Sequence, residues 1–410
     1  MVCLFNITKY STKSLFYFCI CFLLYVWFIS YLLKLGDDIT SIFTITQEID
    51  TKAKWNKYIL IWTNFYYYPQ IKKDKLLLRN LNCSNSNCVL TKNKALFDDY
   101  TRFDAIIFND DILISKDRPL IRNHRQIYIF NTLESSYSVP ACEVYNDGFF
   151  NWTFTYRLDS DIVSSYFVVR NLKGAIVAPR VSVKWHTSSG PIAKRIRAIL
   201  RGKRKAAAWL VSHCKADSLR DEYLTRLQEH LFNFGLKIDV YGKCSHVSCP
   251  DDHCGQTIKK NYYFYIAFEN SLSEDYVTEK VLHGYNNYAV PIVYGGANYS
   301  RFLPPSSYIN AREMHPYNLA FAMYEAIQTP ALYEKYFKWT NLYTISSDFK
   351  SNHPLCKLCY ELNHNQKRSS KEYFRKWWNG LNGMKWCLSN EYWTEASNVN
   401  IDARHIFNLY

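Results

Sequence analysis

The sequence predicts an α/β fold, two Rossmann-like domains facing a cleft, preceded by one N-terminal transmembrane helix. Three observations point there. Short apolar runs alternate with polar and helix-periodic segments in two separate blocks, the pattern of buried parallel strands and their crossovers. A cationic stretch ending RGKRK at Lys205 divides the two blocks. Residues 15–33 (LFYFCICFLLYVWFISYLL) carry no charge and are long enough to span a bilayer as a helix.

Lys9 and Lys13 precede the apolar run, and Lys34, Asp37 and Asp38 follow it. The bias predicts a cytoplasmic tail at 1–14, a signal anchor at 15–33 and a non-cytosolic remainder. A cleaved signal peptide is the rival reading, but the run exceeds the usual apolar core and no small-x-small site follows. Residues 34–55 lack periodicity and read as a stem. Composition supports a large core: of 410 residues 48% are hydrophobic and 17% aromatic, which excludes disordered and low-complexity classes. The formal charge of +14 suits nucleic acid, a membrane surface or a phosphorylated small molecule. The anchor argues against nucleic acid, because the folded mass is then outside the cytosol.

The first block, 56–185, holds apolar runs at 58–62 (YILIW), 105–108 (AIIF) and 127–130 (IYIF). Residues 186–204 read as a linker. The second block, 205–400, opens with a strand at 206–212 (AAAWLVS). A helix over 217–232 follows, with Leu219, Tyr223, Leu227 and Leu231 on one face. Strands at 238–241 and 264–268, a helix over 277–286, a strand at 289–294 and a helix over 316–328 complete it. The last helix starts on Pro316 and stops before Pro330.

Ten cysteines lie beyond the anchor, and an oxidising lumen favours their pairing. Cys244, Cys249 and Cys254, with two nearby histidines, imitate a zinc cluster, as do Cys356 and Cys359; disulfides are the default outside the cytosol. Sequons at Asn82, Asn151 and Asn298 are candidate glycosylation sites.

No dinucleotide, P-loop, zincin or nucleophile-elbow motif occurs. The densest polar segment is 264–280, FYIAFENSLSEDYVTEK. It sets Asn270, Tyr276, Glu279 and Lys280 at a strand's carboxyl end and a helix's first turn, where open α/β sheets bind nucleotides. An ordinary capped helix with a surface Glu–Lys pair fits the same spacing. Arg220 holds the analogous place after the 206–212 strand; it suits an anion there, or a pair with Asp221 or Glu222. Glu134 follows the 127–130 strand, either facing a cleft as a general base or solvated in a loop. Asp159 and Asp161 imitate a metal-chelating D-x-D, which Arg157 could neutralise; no metal site is assigned.

These segments resemble the α1,3-fucosyltransferase family. The run from Phe264 to Asn310 is similar to that family's donor-binding motif, and NWTFTYRLDSD at 151–161, KAAAWLVSHC at 205–214, VYGKC at 240–244 and the C-x-x-C of Cys356 and Cys359 match further parts. The likeness covers about 55–390. It implies a GT-B fold, a Golgi type II membrane protein, and inverting transfer of fucose from GDP-β-L-fucose to O3 of N-acetylglucosamine in a glycan. No cofactor and no essential divalent metal are implied. Glu134, in NTLESSYSVP, fits the catalytic carboxylate, although Ser136 stands where the family usually has proline. Arg220 fits the phosphate-binding arginine; Tyr265, Asn270, Tyr276, Glu279 and Lys280 fit donor contacts; Tyr156 matches the aromatic of Y-R-x-D-S-D. The resemblance also implies bridges from Cys356 and Cys359 back to Cys83 and Cys88.

Antennal N-acetyllactosamine-type glycans are the favoured acceptor, with the innermost N-acetylglucosamine of an Asn-linked glycan as the alternative. A membrane-tethered carbohydrate-binding protein without catalysis is the reading of another class; retention of both Glu134 and the Arg220, Glu279 and Lys280 set argues against it.

Overall fold

Strands form where β-branched and aromatic residues are buried on both faces, and the first sheet is built this way. Its members are β1 (Lys57–Ile61), β2 (Lys75–Leu77), β3 (Cys88–Thr91), β4 (Ala105–Asn109), β5 (Ile127–Thr132), β6 (Trp152–Thr155) and β7 (Ile162–Val163). They lie in the order β2-β3-β1-β4-β5-β6-β7, parallel except for the β2–β3 pair. Every residue of β4 and β5 is buried, as strands covered on both faces must be. The computed structural model describes residues 24–35, 56–63, 75–81, 83, 87–115, 117–250, 253–349, 352–365, 369–380 and 387.

Strands β8 (Val168–Asn171) and β9 (Ile176–Ala178) form a small antiparallel sheet with a late strand. The second large sheet comprises β10 (Lys205–Leu210), β11 (Ile238–Tyr241), β12 (Tyr262–Phe268), β13 (Val290–Tyr294) and β14 (Ile309–Asn310); β15 (Tyr343–Ser346) is the late strand that joins β8. The second sheet is wholly parallel in the order β11-β10-β12-β13-β14. Its order reverses between β10 and β12, the switch point at which such sheets open a crevice beyond their carboxyl ends.

The helices after β9 include α1 (Lys194–Arg201), α2 (Arg220–Asn233), α3 (Cys254–Asn261), α4 (Lys280–Tyr285), α5 (Pro316–Gln328), α6 (Pro330–Lys335) and α7 (Pro354–His364). Two start later than the sequence predicts. Leu219 sits at φ 54°, a left-handed conformation that cannot belong to a helix, so α2 starts at Arg220. Its buried face is therefore Arg220, Leu224, Leu227 and Leu231, not the predicted row through Leu219 and Tyr223. Asp275, at φ 58°, turns the chain after β12 in the same way, and α4 begins only at Lys280.

The segment read as a linker contains α1, whose Ile196 and Leu200 pack with Ala207, Trp209 and Leu227 of the second block. Late in the chain α7 packs Leu355, Leu358 and Leu362 against Ile59, Ile107 and Ile129 of the first sheet. Phe374 and Trp378 join the opposite face, around Phe108 and Phe130. The span 205–400, expected as one block, thus returns to the first sheet after completing the second.

Disulfides hold that return. Cys83 pairs with Cys356, Cys88 with Cys359 and Cys142 with Cys387. The other two are local: Cys214 pairs with Cys244, and Cys249 with Cys254. The zinc-like trio is therefore divided between two bridges, and no group of three His, Cys, Asp or Glu side chains among the described residues is arranged to hold a metal.

The sequons differ in fate. Asn151 is 5% exposed, and its Oδ1 accepts from Arg122 Nη2 and from the Tyr128 amide, so this candidate glycosylation site is core. Asn298 is exposed. Asn82 lies outside the described residues, as do 15–23 of the expected anchor and most of the expected stem. Residues 24–35 form an exposed helix belonging to a separate unit, 1–56. No helix among the described residues is long and apolar enough to cross a membrane.

Candidate active site

A cavity of about 740 Å³ opens beyond the carboxyl ends of β10, β11 and β12 and reaches the carboxyl end of β5. Its lining includes Glu134, Arg220, Tyr265, Asn270, Tyr276, Glu279 and Lys280. These seven come from four chain segments, brought together because parallel strands all deliver their loops to the same edge.

Glu134 stands two residues beyond β5. Its amide donates to Thr132 Oγ1 at 3.0 Å, and the preceding carbonyl, of Leu133, accepts from the Tyr166 hydroxyl. The backbone of the carboxylate is thus held on both sides. Thr132 in turn donates to Asp110 at 2.7 Å. Partial burial raises the Glu134 carboxyl above its ordinary range; the neighbouring Asp110 and Glu279 add to this, and Lys280 and His213 oppose it.

Arg220 is 2% exposed. Its Nη1 donates to the Phe268 carbonyl and its Nη2 to the His213 carbonyl, both at 2.7 Å, which ties the loop after β10 to the end of β12. It forms no ion pair with Asp221 or Glu222; its Nε has no partner among the described residues. Lys280 is also engaged. Its Nζ donates to Glu269 Oε2 at 2.7 Å and to Thr278 Oγ1 at 2.8 Å, using two of three ammonium donors. Glu269 is 1% exposed and also accepts from the Thr278 amide. Glu279, at the start of α4, is exposed to the cavity, and Asn270 presents an Oδ1 without a protein partner among the described residues. Burial raises the phenols of Tyr265 and Tyr276, which keeps them neutral hydrogen-bonding walls.

Tyr156 does not line the cavity. It is buried behind it, its ring edge-on to Tyr276 at 5.0 Å and its hydroxyl accepting from the Ser136 amide. The residues that follow brace the loop after β12: Leu158 donates to Asp275 and Arg157 to Glu274. Ser136 and the Tyr137 amide donate to Ser273 at 3.3 Å, which links the Glu134 loop to the same loop. The D-x-D carboxylates are occupied. Asp159 takes Arg157 and Trp377, and Asp161 takes Thr153 and Lys371.

A carboxylate of raised basicity therefore faces, across one cavity, a wall of cations, amides and phenols at a nucleotide-type switch point. Similarity to known proteins decides the class. The glycosyltransferase family 10 (fucosyltransferase) C-terminal profile matches residues 200–377, and the fucosyltransferase N-terminal profile matches 54–167. α-(1,3)-Fucosyltransferase C of Drosophila melanogaster is 35% identical over 339 residues, covering 78% of this chain and 77% of that protein.

The chain belongs to the fucosyltransferases of glycosyltransferase family 10.

Two further relatives of this fucosyltransferase differ in the linkage their names carry. The Homo sapiens 4-galactosyl-N-acetylglucosaminide 3-α-L-fucosyltransferase FUT5 is 32% identical over 300 residues, covering 71% of this chain and 72% of that protein. The Pongo pygmaeus 3-galactosyl-N-acetylglucosaminide 4-α-L-fucosyltransferase FUT3 is 30% identical over 342 residues, covering 81% and 83%. Sequence reasoning gave no role to several residues in or beside the fucosyltransferase cavity: Thr278, Tyr166, His213 and Lys243 line it, and buried Glu269 pairs with Lys280. Glu269 carried a signal, a carboxylate ending an otherwise apolar strand. Thr278 carried one too, two residues after Tyr276 in the same polar segment; Tyr166, His213 and Lys243 carried none, since their proximity comes from chain crossings.

Proposed function

We propose that this fucosyltransferase moves L-fucose from GDP-β-L-fucose, with inversion, to O3 of N-acetylglucosamine in glycoprotein or glycolipid glycans. The observation that carries the reading is the single cavity in which Glu134, from the first sheet, faces the β10 and β12 loops of the second. In this reading the two sheets are the acceptor and donor halves of a GT-B fold, and the enzyme is a type II Golgi membrane protein anchored through 15–33.

Inversion requires the acceptor hydroxyl to approach C1 from the face opposite GDP. A sugar hydroxyl is a weak nucleophile, so Glu134 takes its proton as the new bond forms; its raised basicity suits that task. The departing diphosphate gains charge, which Arg220 and the remaining donor of Lys280 stabilise. Glu279 accepts from sugar hydroxyls. Antennal N-acetyllactosamine-type glycans are the favoured acceptor, in keeping with the acceptor named for the FUT5 relative.

The test is the full chain in detergent with labelled GDP-fucose and two acceptors, an N-acetyllactosamine and a core Asn-linked glycopeptide, followed by linkage analysis. Transfer to O3 of the N-acetyllactosamine supports the reading. Transfer to the core sugar alone replaces the acceptor, and release or transfer of no fucose removes the proposal.

A further inference from the structure

Among the described residues, three Lys or Arg side chains line the cavity: Arg220, Lys243 and Lys280. Arg220 is held by two carbonyls, and Lys280 is paired with buried Glu269. Lys243 is exposed and has no hydrogen bond or ion pair among the described residues. An ammonium in that state keeps all three donors and its full charge for a ligand.

Its backbone is fixed on both sides. Gly242, immediately before it, sits at φ 104°, and a Cβ there would stand 2.6 Å from the Val211 carbonyl oxygen, so the end of β11 lies hard against the end of β10. The Gly242 amide donates to the Val247 carbonyl at 2.8 Å, and the Cys244 amide to the Val211 carbonyl at 3.4 Å. Cys244, immediately after Lys243, is bridged to Cys214 of the loop after β10. Cys249 and Cys254, which also line the cavity, close the far end of the same loop onto the first turn of α3. Residues 242–249 therefore form a preorganised wall, which lowers the ordering cost of binding through any group they present.

We propose that Lys243 is a further donor-binding residue, an ion-pairing group for the diphosphate of a nucleoside diphosphate in this cavity. The proposal rests on the donor reading above. Lys243 supplies the wall's cation that has no ion pair among the described residues, while Arg220 and Lys280 act from within hydrogen-bonded networks.

The test is titration calorimetry on the full chain in detergent, with GDP and with guanosine as separate probes, for the unsubstituted enzyme, Lys243→Gln and Lys243→Arg. Lys243→Gln is expected to weaken GDP binding about tenfold, the scale of one charge-assisted contact. Guanosine binding stays unchanged, and Lys243→Arg recovers most of the GDP affinity. Unchanged GDP affinity in Lys243→Gln, or an equal loss for guanosine, overturns the assignment while leaving the donor reading intact. An unsubstituted enzyme that binds no GDP overturns both.

Discussion

Lys280 and Glu269 form an ion pair of 2.7 Å in which the carboxylate is 1% exposed and the ammonium only partly so. The lysine read from sequence as a cation for a ligand is first of all the counter-ion of a buried glutamate. Removing one partner of such a pair leaves the other uncompensated in a poor solvent for charge. Lys280→Ala is therefore expected to lower stability by about 2–4 kcal/mol as well as weakening GDP binding. Lys280→Met with Glu269→Gln should recover most of the stability and none of the binding. Thermal unfolding and calorimetry on the three proteins separate the two roles; a fully stable Lys280→Ala would deny the pairing its structural weight.

Glu134→Gln keeps the shape of the side chain and its backbone contacts to Thr132 and Tyr166. The variant is expected to fold with an unchanged melting temperature and to bind GDP normally. Fucose transfer should fall by about a hundredfold to ten-thousandfold, the usual cost of losing a general base. Near-normal turnover would remove Glu134 from the mechanism.

The pH dependence follows from the same carboxylate. A base works deprotonated, and burial with Asp110 nearby raises the pH at which Glu134 loses its proton. The acid limb of kcat/KM should therefore lie above the ordinary carboxylate range, with activity lost as pH falls through it. Asp110→Asn removes a like charge and should move that limb to lower pH. The sign for stability is opposite. A carboxyl raised in the fold binds its proton more tightly than in the unfolded chain, so Glu134 costs stability when ionised, and the cost is relieved as pH falls. A limb unmoved by Asp110→Asn would show that the aspartate does not act on Glu134.

Asn151 and Asn298 share a sequon and differ in burial. Asn298→Gln is expected to remove one glycan increment on mass analysis of the secretory-cell product. Asn151→Gln should remove none, yet lower the melting temperature, because Arg122 and the Tyr128 amide lose their acceptor. A glycan at Asn151 would contradict the burial described.

Two long-range disulfides and a row of leucines both tie α7 to the first sheet. Replacing Cys83, Cys88, Cys356 and Cys359 by serine opens two adjacent links spanning 273 and 271 residues. A stability loss of about 2–5 kcal/mol is expected, read as a lower unfolding midpoint. An unchanged midpoint would mean that α7 is held on the first sheet by Leu355, Leu358 and Leu362 alone.

The central buried strands were legible because burial on both faces leaves a continuous apolar run, as in Ile127–Thr132 and Tyr262–Phe268, and that signal is local; short strands such as Ile162–Val163, Ile176–Ala178 and Ile309–Asn310 leave no such run and were not read. The placing of Glu134 and Asn270 just beyond strand ends was legible for the same reason. Helix starts were less so. Leu219 and Asp275 adopt positive φ through their loops' contacts, and nothing in a leucine or an aspartate announces it. Side-chain partnership was not legible at all. Whether Lys280 meets a ligand or Glu269, whether Asn151 meets solvent or Arg122, and whether Lys243 finds a partner among the described residues depend on which segments the fold lays side by side. The sequence by itself determined the α/β class, the strand ends that line the cavity and the family. Only the tertiary structure decided which charges are spent inside the protein and which face the cavity, because electrostatic pairing acts over a few ångströms, between residues that the chain order keeps apart.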